Sequence, residues 1–234
     1  IHSINTVAVQ CFTDVTPQLG YEYLKKFGFT TVYDNISING KIYTDIQQPT
    51  ALGGITRGVS NLELTGAYAA IANSGTYIKP MFYTKILDED GNVVINNTPE
   101  ERKVIKPSTA YLLTSAMEDV VSEGTGTRLQ LSNMHVAGKT GTTDTYNDVW
   151  FAGYTPYYTA TTWAGYDNNV KLRKGAEQSL AKKLWRATMS KIHEDLPSQS
   201  FTMPSGIVQA TVCARSGKLP IAGLCDGTLK TEYF

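Results

Sequence analysis

A lysine between two glycines, followed by hydroxyl residues, constrains this chain more than any other feature. The stretch is Gly138-Lys139-Thr140-Gly141-Thr142, and a β-rich run follows it from Val149 to Tyr166. The β-branched residues around it favour a strand. Because glycines in a strand allow another backbone to approach closely, we expect a strand that can pair with a peptide-like ligand. Lys139, Thr140 and Thr142 would then bind a carboxylate of that ligand.

The same residues permit two other interpretations. One is a solvated lysine at the end of a strand. The other is a phosphate-binding loop, because Gly-Lys-Thr also ends the Walker A pattern. That pattern requires a glycine separated by four residues from the Gly-Lys pair. Asn133 stands at that position, so the sequence does not support a phosphate-binding loop.

Composition narrows the classes of protein to consider. The chain has 234 residues, of which 41% are hydrophobic, and this is enough for a full core. Lys+Arg and Asp+Glu both number 21, so the charge balance gives no reason to expect nucleic acid or an acidic membrane as a partner. No apolar run is long enough to span a bilayer, and no signal peptide is recognisable. Because the chain starts at Ile1 rather than Met, we expect a piece of a longer protein.

The three cysteines have different sequence contexts. Cys11 lies in an apolar helical run and is predicted to be a small buried hydrophobe. Cys213 and Cys225 flank a short segment with Gly and Pro, which predicts a closed disulfide loop and an oxidising compartment. Two free thiols remain the alternative. Metal ligation is less favoured because neither cysteine has a second Cys or His at ligand spacing.

The order of predicted elements indicates helices first, then a sheet, then a closing helix. Strands after Lys139 are joined by a tight turn at Thr155-Pro156-Tyr157, which predicts an α/β (α+β) fold with a central antiparallel sheet flanked by helices. The predicted elements are a helix up to Val15 capped by Ser3 or Asn5, a helix from Pro17, a helix after a Ser60–Glu63 capping box, a hairpin of 83–87 with 93–95, a helix from Pro107, strands 148–154 and 158–166, and a closing helix 177–193 that carries Leu180, Leu184, Trp185 and Ala187.

Two short motifs resemble signatures of the penicillin-binding proteins and serine β-lactamases. Ser3-Ile4-Asn5 resembles the S-x-N motif, and Lys139-Thr140-Gly141-Thr142 resembles the K-T-G motif. The surrounding segments resemble the transpeptidase domain of class A (bifunctional) penicillin-binding proteins. These segments are 58–64, 67–75, 124–127 and 150–155, together with the cysteine-bearing tail from 213 to 225 and the chain end at 232–234.

The first signature of the family, S-x-x-K with its nucleophilic serine, is where the sequence departs from the pattern. The one match, Ser179 to Lys182, comes after the K-T-G motif, whereas the family's nucleophile precedes S-x-N. We interpret Ser179 as a surface residue, and the resemblance implies a nucleophile upstream of this chain. A second S-x-N match, Ser37-Ile38-Asn39, lies in a polar loop and is interpreted as chance.

The resemblance also implies roles for the site residues. Ser3 would relay a proton to the leaving nitrogen, Asn5 would bind the substrate amide, and Lys139 would supply positive charge. Thr140 and Thr142, with Gly141 between them, would bind the terminal carboxylate. The backbone N–H of Thr142 would form half of the oxyanion hole. No metal and no cofactor are implied.

Function and organisation follow as further expectations from the resemblance. The parent would be a serine D,D-transpeptidase of the cell wall that acts on D-Ala-D-Ala stem peptides and traps β-lactams. It would lie on the outer face of a membrane that an N-terminal helix of the parent crosses. Residues 1–196 would be the C-terminal part of its transpeptidase domain, completed by the upstream part of the same protein, and 197–234 a small extension with the disulfide. The alternatives are a catalytically inactive penicillin-binding fold with a structural role and a class A β-lactamase-like hydrolase. The tail and Trp150 to Tyr154 count against the hydrolase.

Overall fold

A computed structural model describes residues 2–225 and 227–234. In that part of the chain the α-helices are α1 (Asn5–Val15), α2 (Pro17–Lys26), α3 (Asn61–Ala72), α4 (Pro107–Ser122) and α5 (Leu180–Ile192). The strands are β1 (Ile36–Ile38), β2 (Lys41–Tyr43), β3 (Thr76–Ile78), β4 (Lys85–Leu87), β5 (Val93–Asn96), β6 (Glu101–Lys103), β7 (Ala137–Thr142), β8 (Asp148–Tyr154), β9 (Thr159–Gly165), β10 (Gln209–Cys213) and β11 (Leu229–Tyr233).

The main sheet consists of β7, β8 and β9, in that order and antiparallel throughout. In its register, Lys139 lies opposite Ala152, which lies opposite Thr161. This arrangement confirms the expected antiparallel sheet flanked by helices. The other strands form separate pairs: β1 with β2, β3 with β6, β4 with β5, and β10 with β11.

Helices cover both faces of this sheet. On one face, Phe151 of β8 and Trp185 of α5 are fully buried, with ring centroids 4.8 Å apart in an edge-to-face contact. On the opposite face, Tyr154 is also fully buried, and its hydroxyl lies 2.7 Å from the Thr114 hydroxyl of α4. Strand β7 is therefore fixed through β8 to a packed core on both sides.

Gly138 is required by this packing. A Cβ at that position would lie 2.6 Å from Cζ of Phe151 and 2.7 Å from the carbonyl oxygen of Ala152. Neither atom can move away without disturbing β8. The close backbone approach that the sequence predicts at Gly138 is thus made by the neighbouring strand.

The predicted capping box at the start of α3 is confirmed. The Ser60 side chain accepts from the Glu63 N–H, and a Glu63 carboxylate oxygen accepts from the Ser60 N–H at 3.0 Å. Glu63 also accepts from the N–H and hydroxyl of Thr30, at 2.7 and 2.6 Å. Burial raises the pKa of Glu63, but the bonds from Thr30 and Ser60 outweigh it and bring the pKa down to about 2.

The predicted cap of α1 is wrong. The N-cap residue is Ile4, with no side-chain capping bond. Ser3 lies outside the helix and its hydroxyl contacts Lys139, while Asn5 is already the first helical residue. Neither side chain is therefore placed to receive the first free N–H groups of α1.

The prediction that Cys11 is buried is also wrong, because Cys11 is exposed. Helix α1 fully buries none of its residues, and it packs against α2 and the short 3₁₀ helix Gln48–Leu52. The described part of the chain therefore leaves most of the apolar residues of α1 uncovered. Val7, for instance, is 62% exposed.

The closing helix differs in detail from its prediction. A 3₁₀ turn spans Glu177–Ser179, and the α-helix begins at Leu180. Leu180 and Leu184, expected on the apolar face, are exposed, whereas Ala181, Trp185 and Met189 are buried. Trp185 is the largest side chain on the buried face, and its indole packs beside Phe151.

The C-terminal residues form the hairpin of β10 and β11 against α4. Lys230 of β11 lies 3.0 Å from the Asp119 carboxylate, and the rings of Tyr111 and Tyr233 are 5.5 Å apart. Cys213 and Cys225 are joined by a disulfide, with their Cα atoms 5.9 Å apart. The division at residue 196 stays a prediction. No described helix is both long and apolar enough to cross a membrane.

Candidate active site

Two residues predicted as partners from short motifs meet in the structure. The ammonium nitrogen of Lys139, on β7, contacts the hydroxyl of Ser3, immediately before α1. They are 136 residues apart in sequence. Ser3 has φ of 54°, in the left-handed region that non-glycine residues adopt uncommonly. Ser3 therefore adopts a left-handed backbone conformation at the point where its hydroxyl meets the edge of the sheet.

The free edge of β7 carries the groups that a peptide ligand could bind. Thr143 N–H donates to the Asp148 carbonyl oxygen of β8 at 3.1 Å. Backbone N–H groups alternate between the two edges of a strand, so the N–H groups of Thr142 and Thr140 point away from β8. The carbonyl oxygen of Thr140 agrees with this orientation, because it accepts from the ammonium of Lys139 at 3.0 Å. No other strand pairs with this edge among the described residues.

Lys139 is half-buried, and its ammonium nitrogen contacts both the Ser3 hydroxyl oxygen and the Thr140 carbonyl oxygen. Burial lowers its pKa below the ordinary value, because the charged ammonium loses hydration. No carboxylate in the described part of the chain forms an ion pair with it. The site therefore offers a desolvated cation whose charge is not already neutralised by an acid of this chain, next to a serine hydroxyl.

The remaining predicted site residues lie along the same edge. Thr140 and Gly141 are half-buried and Thr142 is exposed at the end of β7. A Cβ at Gly141 would lie 3.2 Å from Cβ of Trp150, so a larger residue would crowd β8. Asn5 is exposed in the first turn of α1, and no hydrogen bond of the described chain joins its side chain to Ser3 or Lys139.

Sequence reasoning gave no individual role to Thr125. Its hydroxyl lies 3.0 Å from the hydroxyl of Thr140. The signal available in the sequence was a threonine between Gly124 and Gly126, shortly before the strand that carries Lys139. That pattern indicates a tight loop, but only the fold shows which residue the loop reaches.

The alternative motif matches lie elsewhere. The hydroxyl of Ser179 is 2.7 Å from the Gly175 carbonyl oxygen and 3.0 Å from that of Ala176, so it binds its own turn. Ser37 lies on β1, and Asn39 lies in the turn that follows with φ of 52°. Neither motif has a described contact with Lys139.

The site is an open edge rather than an enclosed pocket. One cavity of about 140 Å³ lies beside Tyr111 and Phe201, and another of about 390 Å³ lies beside Glu118 and His135. Neither is lined by Ser3, Lys139 or Thr142. Within the described residues, no three His, Cys, Asp or Glu side chains are grouped closely enough to hold a metal.

Two family models match the chain. Residues 1–190 match "Penicillin binding protein transpeptidase domain", and residues 203–234 match "Penicillin-binding protein 1A, C-terminal domain". Among curated proteins, a penicillin-binding protein 1A of Clostridium botulinum is 35% identical over all of this chain and 29% of its own length. One of Aquifex aeolicus is 38% identical over 87% of this chain and 26% of its own length.

Solved structures share the fold. Penicillin-binding protein 1A of Haemophilus influenzae superposes with a TM-score of 0.81 over all of this chain and 38% of that one, at 24% identity. PonA1 of Mycobacterium tuberculosis, in complex with penicillin V, gives 0.68 over 81% of this chain and 53% of that one, also at 24% identity. The chain spans less than a third of the length of these curated relatives.

Proposed function

The chain belongs to the penicillin-binding protein transpeptidase domain family, and from that premise we propose that it forms the substrate-binding side of a serine D,D-transpeptidase active site. The contact between the Lys139 ammonium and the Ser3 hydroxyl, at the free edge of β7, carries the proposal. The substrate would be a peptidoglycan stem peptide that ends in D-Ala-D-Ala, and β-lactams would be trapped as acyl-enzymes.

Each residue of the edge has a role in this acyl transfer. The stem peptide pairs with β7 as an added strand, and the Thr142 N–H, which points to the free edge, donates to the developing oxyanion. The hydroxyls of Thr140 and Thr142 donate to the terminal carboxylate. Ser3, polarised by Lys139, passes a proton to the leaving nitrogen, and Asn5 binds the substrate amide.

The nucleophile would come from a part of the parent protein outside these 234 residues. Ser179 is the serine of the one S-x-x-K match, and its hydroxyl is committed to the carbonyl oxygens of its own turn. The nucleophilic serine would attack the penultimate D-alanine carbonyl, and the terminal D-alanine would leave as the free amino acid. A neighbouring stem amine would then take the acyl group and release the serine.

The parent would act at the outer face of the cell membrane, anchored by an N-terminal helix. The disulfide of Cys213 with Cys225 supports a location outside the reducing cytoplasm. The curated relatives are penicillin-binding proteins, which supports cell-wall peptide as the substrate.

Labelling of the full-length polypeptide by a fluorescent penicillin tests the proposal. Lys139→Ala should lower the second-order acylation rate about 10²-fold or more, because the site loses its positive charge. Lys183→Ala, an exposed lysine on α5, is the matched control and should label normally. Normal labelling of Lys139→Ala would contradict the proposal.

The 234-residue chain by itself provides a second test. It should gain no mass when treated with penicillin, and Ser179→Ala in the full-length polypeptide should leave labelling unchanged. A stoichiometric adduct on the isolated chain that disappears in Ser179→Ala would overturn the assignment of the nucleophile.

A further inference from the structure

The hydroxyl pair of Thr125 and Thr140 has a role that the site residues above do not provide. The two oxygens are 3.0 Å apart, and they belong to separate segments: Thr125 follows the end of α4, while Thr140 lies on β7. The bond therefore joins the strand edge to a loop that has no other described side-chain hydrogen bond to Thr140.

The loop that presents Thr125 is held in place by the residues that directly follow Thr125. The Gly126 N–H donates to the Val120 carbonyl oxygen at 2.8 Å, and a Cβ at Gly126 would lie 3.1 Å from that same oxygen. Three residues further on, Leu129 is only 1% exposed and packs in the cluster that contains Trp185. A hydroxyl held by such a loop keeps its place when a ligand binds, because the backbone directly after it is fixed.

Counting protons gives the direction of the bond in a complex. A threonine hydroxyl has one proton to donate and two lone pairs that accept. If Thr140 gives its proton to a carboxylate, it can only accept from Thr125, and Thr125 must be the donor between them. Each bond in such a chain strengthens the next, and the last one is charge-assisted.

We propose that Thr125 is a positioning residue that fixes the Thr140 hydroxyl as a donor to the ligand's terminal carboxylate. The inference rests on the proposed function and deepens it, because it makes carboxylate recognition depend on a second segment of the chain. The expected effect is selective. A ligand without a free carboxylate does not accept the Thr140 proton, so its acylation rate should not change when Thr125 is substituted.

The test compares acylation of the full-length polypeptide by benzylpenicillin and by the methyl ester of benzylpenicillin's carboxylate. Thr125→Val should slow acylation by benzylpenicillin roughly three- to tenfold, the effect of losing one hydrogen bond. Acylation by the ester should be unchanged, and that also shows that the variant is folded. Thr125→Ser, which keeps the hydroxyl, should behave as the wild type.

Two further variants sharpen the result. Thr127→Val removes an exposed hydroxyl from the same loop and should affect neither ligand. Thr140→Val should show a selective loss at least as large as that of Thr125→Val, and the double variant should be no worse than Thr140→Val, because without the Thr140 hydroxyl there is nothing for Thr125 to position.

Several outcomes would overturn the inference. These are an equal loss with both ligands, wild-type rates in Thr125→Val, a Thr125→Ser variant as slow as Thr125→Val, and additive losses in the double variant. Lys139→Ala separates this failure from failure of the proposed function. If Lys139→Ala is slow while Thr125→Val is normal, only the role of Thr125 is wrong. Normal rates in Lys139→Ala would contradict the proposed function itself.

Discussion

The two residues that meet in the candidate site, Lys139 and Ser3, lie in parts of the chain that differ in how densely they are packed. Lys139 lies on β7, which is attached through β8 to a core where Phe151 and Trp185 are fully buried. Ser3 lies before α1, a helix that fully buries none of its residues in the described chain. The chemical groups of both sides meet, yet only one side is held by a dense core. Position in a site and rigidity of that position are thus separate properties, and the second depends on packing.

The largest expected effect concerns the well-packed side. Trp185→Ala should lower the free energy of unfolding of the 234-residue chain by about 3–5 kcal/mol, because it removes a buried ring and leaves a cavity beside Phe151. It also removes the bond from the indole N–H to the Ala160 carbonyl oxygen, at 3.0 Å. Urea unfolding followed by circular dichroism measures the change. Leu184→Ala, an exposed neighbour on α5, should cost far less, and equal losses would refute the comparison.

The next effect concerns the charge at the meeting point. Burial lowers the pKa of Lys139 below its usual 10.5, so the ammonium loses its proton at a lower pH than an ordinary lysine. Acylation of the full-length polypeptide should therefore fall on the alkaline side before pH 10.5, about tenfold per pH unit above that pKa. Stopped-flow measurement of the acylation rate across pH detects this alkaline decline. Lys139→Arg should abolish the decline, and a decline that persists in this variant would show that another group causes it.

A smaller effect is expected at the capping box of α3, which lies outside the site. Glu63→Gln should lower the free energy of unfolding by about 1 kcal/mol at pH 7, because the hydrogen bonds that the Glu63 carboxylate accepts from Thr30 and Ser60 lose their charge assistance. Because the folded pKa of about 2 lies below the unfolded value of about 4.3, this contribution is present above the unfolded pKa and is lost as pH falls through the folded pKa. Thermal unfolding at pH 7 and pH 2.5 measures it. Wild type and Glu63→Gln should differ less at pH 2.5, and Glu89→Gln in the exposed β4–β5 turn should show no such difference.

The smallest effect concerns α1. Val7→Ala should change the free energy of unfolding of the isolated chain by less than about 0.5 kcal/mol, because Val7 is 62% exposed there. In the full-length polypeptide the same substitution should cost about 1 kcal/mol or more, since we expect another segment of the parent to cover this apolar helix. Thermal unfolding of both proteins measures the contrast. Equal small effects in both would show that α1 stays uncovered.

The sequence by itself determined the elements whose causes are local. Glycines around Lys139, alternating β-rich runs and the Ser60–Glu63 spacing act over a few residues, so the antiparallel sheet and the capping box were predictable. The motif order also indicated the family. Local patterns failed where a helix face depends on what covers it, as for Cys11, Leu180 and Leu184, because periodicity shows that a face is apolar but not what packs on it.

Only the tertiary structure decided which residues form the site. Ser3 and Lys139 are 136 residues apart, and no local pattern specifies that their side chains touch. The bond from Thr125 to Thr140 likewise depends on how the end of α4 is pinned beside β7. Gly138 shows the same limit, because its absent side chain serves the packing of Phe151 rather than a ligand. Side-chain contacts between distant segments follow from the three-dimensional packing of the core, and a linear sequence pattern records only one partner of each contact.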